Sequence, residues 1–156
     1  MENFKIDFGS LKVDQLGFVF KDIEKQAKIM ENLLGLPKFI ITSPMPHAIQ
    51  FRGEESMVTS QVAISRIGST QIELIKWIDG DSSYKEFLDQ GKEGLHHVAI
   101  YIEDRDKYIE EFKSKGIGIL QSGRVLNVRF TYLDTEDKFG FILELLEQIS
   151  RRKKKK

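Results

Sequence analysis

The chain has 156 residues, 40% hydrophobic and 31% charged, which suits one compact domain or two small fused modules with apolar material enough for a core. It contains no cysteine, so disulfides, thiolate zinc sites and cysteine nucleophiles are excluded together, and any bound metal must rest on His, Glu, Asp or Gln. The formal net charge of zero hides an asymmetry: the last six residues, RRKKKK, are all basic, and residues 1–150 carry 18 basic against 24 acidic side chains.

An acidic body with no basic, aromatic-laced face argues against a specific nucleic-acid partner, and the cationic end reads as a solvated tail. There is no run of 18 apolar residues, and the start, MENFKIDFGS, has no signal-peptide core, so no membrane partner and a cytoplasmic location are expected.

Residues 13–22, VDQLGFVFKD, alternate as a strand and end on Asp22, which sits where a helix N-cap is wanted. A helix is expected over 22–34, where Ile23, Ala27, Met30, Leu33 and Leu34 recur at helical spacing until Gly35 and Pro37 stop it. The period then falls toward two, giving strands at 37–42, 47–51, 59–67 and 70–77 and closing a first module over 11–77. Residues 78–94 are polar with a short helical middle and read as a linker. Residues 95–104, LHHVAIYIED, again run as a strand into an aspartate, Asp104, ahead of a helix at 104–115. That helix places Tyr108, Ile109 and Phe112 on one face and stops at Gly116. Strands at 117–121, 124–134 and 139–147 complete a second module over 95–148, leaving 149–156 as the basic tail.

The two modules repeat each other. Residues 13–22 match 95–104, and IELI at 72–75 matches LELL at 143–146, in the same order. The expected fold class is α+β: two paired βαβββ modules forming a curved, largely antiparallel mixed sheet with helices on the outer face.

Strand alternation then sorts the side chains. Leu16, Phe18 and Phe20 share a face, as do Val98, Ile100 and Ile102, and these should meet the helices. The opposite face carries Gln15, Gly17 and Val19 in one module and His97, Ala99 and Tyr101 in the other. Gln15 and His97 are therefore equivalent, and the small residues Gly17 and Ala99 leave room above the sheet. Glu73 and Glu144 are equivalent too, each a carboxylate within an apolar strand. Such a group needs water, a cationic side chain or a metal. Mixed nitrogen and oxygen donors of this kind suit a divalent transition metal or magnesium. His96 should face away from His97 and bond a loop or helix end, and His47 should lie on the surface.

The segments VDQLGFVFKDIEK, TQIELIKW, EGLHHVAIYIED and RFTYLDTEDKFGFILELLE resemble the vicinal oxygen chelate superfamily, the glyoxalase and bleomycin-resistance fold, over residues 11–148. Within it, they look most like the methylmalonyl-CoA epimerase branch. The resemblance implies one divalent metal ion (Zn, Ni, Co, Mn, Mg or Fe) held by Gln15, Glu73, His97 and Glu144, a small-molecule substrate and a homodimer. The chain departs from the epimerase pattern, which has His at position 15 and Gln at position 73. Its Gln, Glu, His, Glu set is similar to one class of glyoxalase I, yet DTEDKFGFILE stands where that class ends in DPDGYWIE. The epimerases' separate catalytic glutamate has no clear match within 43–60, although Glu54 and Glu55 are near, and Gln15 in place of a histidine argues against dioxygenase chemistry.

The resemblance implies a metal-dependent lyase or isomerase of glyoxalase type, in which a proton leaves carbon next to a carbonyl and the metal holds the enediolate or enolate. Glu144 is the catalytic base in that scheme. An epimerase acting on an acyl-CoA is the alternative, and a non-catalytic drug-binding protein a further one. Asn127 and Arg129 alternate on a late strand and are candidates for binding a substrate carboxylate or phosphate.

Overall fold

The computed structural model describes residues 4–149. After a single 3-10 turn at Phe8–Ser10, the first module runs β1 (Gln15–Val19), α1 (Ile23–Leu34), β2 (Ile40–Ile41), β3 (Met45–Phe51), β4 (Glu54–Ile67) and β5 (Thr70–Asp79). A helix α2 (Ser83–Asp89) lies between the modules. The second module runs β6 (Gly94–Tyr101), α3 (Arg105–Ser114), β7 (Ile119–Val125), β8 (Val128–Leu133), α4 (Glu136–Phe139) and β9 (Ile142–Gln148). Of the basic tail, 149–156, only Ile149 is among the described residues.

α1 begins and ends as its sequence requires. The Asp22 carboxylate accepts from the Lys25 amide at 3.0 Å, and Gly35, at φ 65°, turns the chain out while its N–H closes on Glu31. The second helix starts at the expected place by a different device. Asp104 adopts φ 55° and its side chain caps nothing. Glu147, from the distant β9, accepts from the Arg105 amide instead, at 2.8 Å. Strand boundaries shift as well. Of the expected strand 37–42 only β2 forms, and 124–134 is broken by a turn at Leu126 (φ 53°) and Asn127, giving the β7–β8 hairpin.

The strands follow the order β2-β4-β3-β7-β8-β9-β6-β1-β5, and β5 pairs again with β4. Eight strands therefore close into a barrel, with β2 flanking it. β1–β5 and β6–β9 are parallel and the other pairs antiparallel. The modules meet within one chain at two seams. One is β1 on β6, with Gly17 opposite His97, and the other is β3 on β7, with Gln50 opposite Ser122.

Two apolar clusters lie outside the barrel. Ile23 and Ala27 of α1 cover Leu16, Phe18, Ile72 and Leu74, and Ile109 and Phe112 of α3 cover Ile100, Ile102, Leu143 and Leu145. The alternation assigned to these strands is thus met. Each fully buried Leu or Ile of this kind contributes roughly 1.5–3 kcal/mol. The third cluster fills the barrel interior with Val19, Ile75, Ala99, Phe130, Tyr132 and Ile142. Helix α2 belongs to it, through Tyr84 and Phe87. α1 and α3 lie on the outer face, as expected, and the linker helix turns Tyr84 and Phe87 onto the interior cluster. It is fastened by Gln121, whose Oε1 accepts from the Ser83 amide at 2.9 Å, and by the two-pronged Arg52–Glu86 pair at 2.8 and 2.9 Å.

Candidate metal centre

The register across β5, β1, β6, β9 and β8 brings one inward-facing layer together. Gln15 lies opposite Gln71 and Ala99, Gly17 opposite Glu73 and His97, and Glu144 opposite Ala99 and Tyr132. The four expected side chains meet. His97 Nε2 stands 3.2 Å from Gln15 Oε1, 3.4 Å from Glu73 Oε1 and 3.6 Å from Glu144 Oε1. His97 is wholly buried, Gln15 and Glu144 nearly so, and the Glu73 side chain is 19% exposed.

Gly17 is what lets the imidazole sit there. A Cβ at this position would lie 1.9 Å from His97 Cε1. The room that Gly17 leaves above the sheet is therefore filled by the His97 ring itself. Tyr132 covers the ring's other side, centroids 4.9 Å apart.

Three residues that sequence reasoning missed complete the layer. Gln71 Oε1 accepts from Gln15 Nε2 at 2.5 Å, which turns the Gln15 carbonyl oxygen toward His97. Gln71 lies two residues before Glu73 on one strand face, so period-two reading could have found it. The Tyr132 hydroxyl pairs with that of Tyr84 at 2.9 Å, tying α2 to the layer. Tyr84 comes from the linker helix, and no strand pattern points to it.

His96 corrects an expectation. A register irregularity in the β1–β6 seam pairs Gly17 with His97 but Phe18 with Leu95, leaving His96 as the extra residue of a bulge. The bulge turns both imidazoles inward. His96 packs among Tyr84, Phe87 and Tyr132, and its Nδ1 lies 2.9 Å from Nδ1 of His97. His47 is also placed differently, half-buried in β3 opposite Val58.

Arg129 and Asn127 do not join the site. Arg129 alternates with the inward Val128 and Phe130, so it faces outward, where Glu147 takes its guanidinium, Nε at 2.9 Å. Asn127 is an exposed turn residue whose carbonyl accepts from Ile149. Glu54 and Glu55 are exposed at the start of β4.

Burial sets the electrostatics. It pushes the Glu144 carboxyl up to about 8; His97 and the Tyr132 hydroxyl pull it down, and Glu73 adds to the rise. For His97, burial works downward, but Glu144 and Glu73 outweigh it and hold the imidazole above its ordinary value. Burial holds His96 well below its ordinary value, with His97 adding to the effect. Tyr84 and Tyr132 are raised, first by burial, and stay protonated as donors.

By chemical type, one imidazole, two carboxylates and an amide oxygen are donors that divalent ions take. Two ligands at right angles on a metal about 2.1 Å away lie about 3 Å apart. The oxygens surround His97 Nε2 slightly more widely than that, and among the described residues no three His, Asp or Glu side chains are already drawn to metal-ligand spacing. Glu144 Oε1 is buried without a hydrogen-bond partner, an acceptor that a cation would satisfy.

The chain belongs to the Glyoxalase/Bleomycin resistance protein/Dioxygenase superfamily, whose family model matches residues 14–132. It is 24% identical over 141 residues to the mitochondrial methylmalonyl-CoA epimerase of Bos taurus, spanning 86% of this chain and 73% of that protein. Among solved structures it is similar to methylmalonyl-CoA epimerase from Mycobacterium tuberculosis, with a TM-score of 0.64 at 20% identity over 88% of each chain. A single-residue variant of Streptomyces coelicolor methylmalonyl-CoA epimerase, in complex with 2-nitronate-propionyl-CoA, gives 0.65 at 21% identity over 92% of this chain and all of that one. No described helix is long and apolar enough to cross a membrane.

Proposed function

We propose that this chain is a metal-dependent isomerase of the epimerase kind, moving a proton on the carbon next to the carbonyl of a branched acyl thioester. The observation that carries the reading is the meeting of Gln15, Glu73 and Glu144 about His97 Nε2, with Glu144 nearly buried.

Gln15, Glu73, His97 and Glu144 would hold the ion. A bound divalent ion acts as a Lewis acid on a carbonyl oxygen, which makes the neighbouring C–H more acidic. Glu144 takes that proton on the carboxylate oxygen that does not hold the ion. Proton transfer to a positioned carboxylate is worth typically 10²–10⁴-fold. Glu73 is its repeat equivalent across His97, so it is the group placed to return a proton on the other face of the carbon, as inversion demands. Protonated Tyr132 and Tyr84 and the apolar interior exclude water from this exchange. The side open to solvent is that of Glu73, beside exposed Gln71 and Tyr101, and substrate enters there.

A glyoxalase-type lyase acting on a glutathione hemithioacetal is the second reading, favoured by Gln at position 15 and Glu at position 73. Both share the proton abstraction and differ in where the proton returns. The test is metal analysis of the purified chain, followed by deuterium exchange from solvent into a 2-methylmalonyl thioester, with a hemithioacetal in parallel. Stoichiometric metal and exchange into the thioester support the epimerase. Turnover of the hemithioacetal alone supports the lyase. Absence of metal both as purified and after soaking would leave a ligand-binding protein.

A further inference from the structure

The bulge in β6 has no place in the roles assigned above. It costs the β1–β6 seam one regular pair and puts a second imidazole, 1% exposed, inside the barrel. That ring touches none of the oxygens around His97 Nε2; its side-chain hydrogen bond is Nδ1 to Nδ1 of His97 at 2.9 Å, and the Ser83 backbone also acts on it. We propose that His96 is a positioning residue that fixes the tautomer of His97 for metal binding, by accepting the His97 Nδ1–H on its own bare Nδ1. This rests on the metal-binding reading given above.

Donors and acceptors must balance across the pair. A neutral imidazole has one N–H and one lone pair. His97 Nε2 faces three oxygens, so it is the nitrogen placed to coordinate, and its lone pair must be free for that. The ring's proton then sits on Nδ1, where the atom within hydrogen-bond distance is His96 Nδ1. Two protonated Nδ1 atoms could not approach to this distance, so His96 must carry its own proton on Nε2. The Ser83 backbone, which works upward on the His96 imidazole, is the group near this ring that favours an N–H there, although Nε2 makes no full hydrogen bond. The aromatic rings of Tyr84, Phe87 and Tyr132 hold the His96 plane from three sides, which fixes the direction of its lone pair. Metal-bound histidines commonly donate their second N–H to a carboxylate or carbonyl, and loss of such a partner costs about 10–100-fold in affinity. Here a neighbouring histidine takes that role, and the bulge is what makes two adjacent residues face one another.

Two measurements on the full chain test this. Nitrogen NMR of the zinc(II)-loaded, unsubstituted protein should find His97 protonated at Nδ1 and bare at Nε2, with His96 the reverse. Cobalt(II) affinity, read by chelator competition and the visible absorption of the bound ion, should fall about 10–100-fold in His96→Phe, which keeps the aromatic packing. His96→Gln, whose side-chain oxygen can accept the same proton, should recover most of the loss. A proton on His97 Nε2 in the loaded protein, or His96→Phe binding cobalt(II) as tightly as the parent, overturns the inference while leaving the metal centre intact. A parent chain that binds neither ion overturns the metal reading, and this inference with it.

Discussion

Gly17→Ala is the sharpest perturbation the barrel offers. The new methyl would stand 1.9 Å from His97 Cε1 and 2.0 Å from Nε2, against the 3.5–4.0 Å at which carbon atoms normally rest. Imidazole rings on a surface would swing aside. This one is wholly buried, backed by Tyr132 and bonded through Nδ1 to His96, so the shift of roughly 1.5 Å that contact distance requires must strain the seam or evict the ring. Overpacking of this sort costs about 1–3 kcal/mol. For a chain of this size each kcal/mol lowers Tm by about 2–4 °C. Differential scanning calorimetry should therefore show a fall of several degrees. Displacing the His97 ring, the proposed ligand, by more than 1 Å should also cost at least about 10²-fold in turnover, since misplacement of that order has such effects. An alanine variant with unchanged Tm and unchanged cobalt(II) affinity would refute the packing of His97 on Gly17.

Glu144→Gln removes the proposed base while keeping size, and deuterium exchange should fall by about 10²–10⁴-fold. In the metal-free protein the same residue sets a pH dependence. Its folded pKa of about 8 lies above that of an unfolded glutamate, so the native state binds more protons and stability declines as pH rises through that interval. Chemical denaturation across that range should show the decline in the parent and a flatter profile in Glu144→Gln; parallel profiles would exclude a buried, raised carboxyl. Glu147→Ala strips the cap from α3 and the partner from Arg129, and should lower stability by about 1–2 kcal/mol in urea titrations without changing metal affinity. Arg129→Ala should leave KM unchanged, because that guanidinium lies on the outer barrel face; a large rise in KM would restore it as a substrate ligand.

Much of this protein was legible before folding. Period-two alternation assigned the faces of β1 and β6, helical spacing marked α1 and α3, and the internal repeat paired Gln15 with His97 and Glu73 with Glu144. Those signals are local: a side chain's direction along a regular strand or helix follows from its position in the chain. What the tertiary structure decided depends on partners distant in sequence. Whether His96 faces in or out turns on a slip against β1, more than 70 residues earlier, and no pattern within LHHVAIY encodes it. The capping of α3 by Glu147, the outward turn of Arg129 and the Gln71 bond to Gln15 likewise arise from pairing across the barrel. The linker helix reads as polar connection because its apolar residues are few, yet closure of the β3–β7 seam leaves an interior that Tyr84, Phe87 and Leu88 pack into. Alternation thus determined which residues could meet, and barrel closure decided that three of them surround one buried histidine and that a second histidine stands behind it.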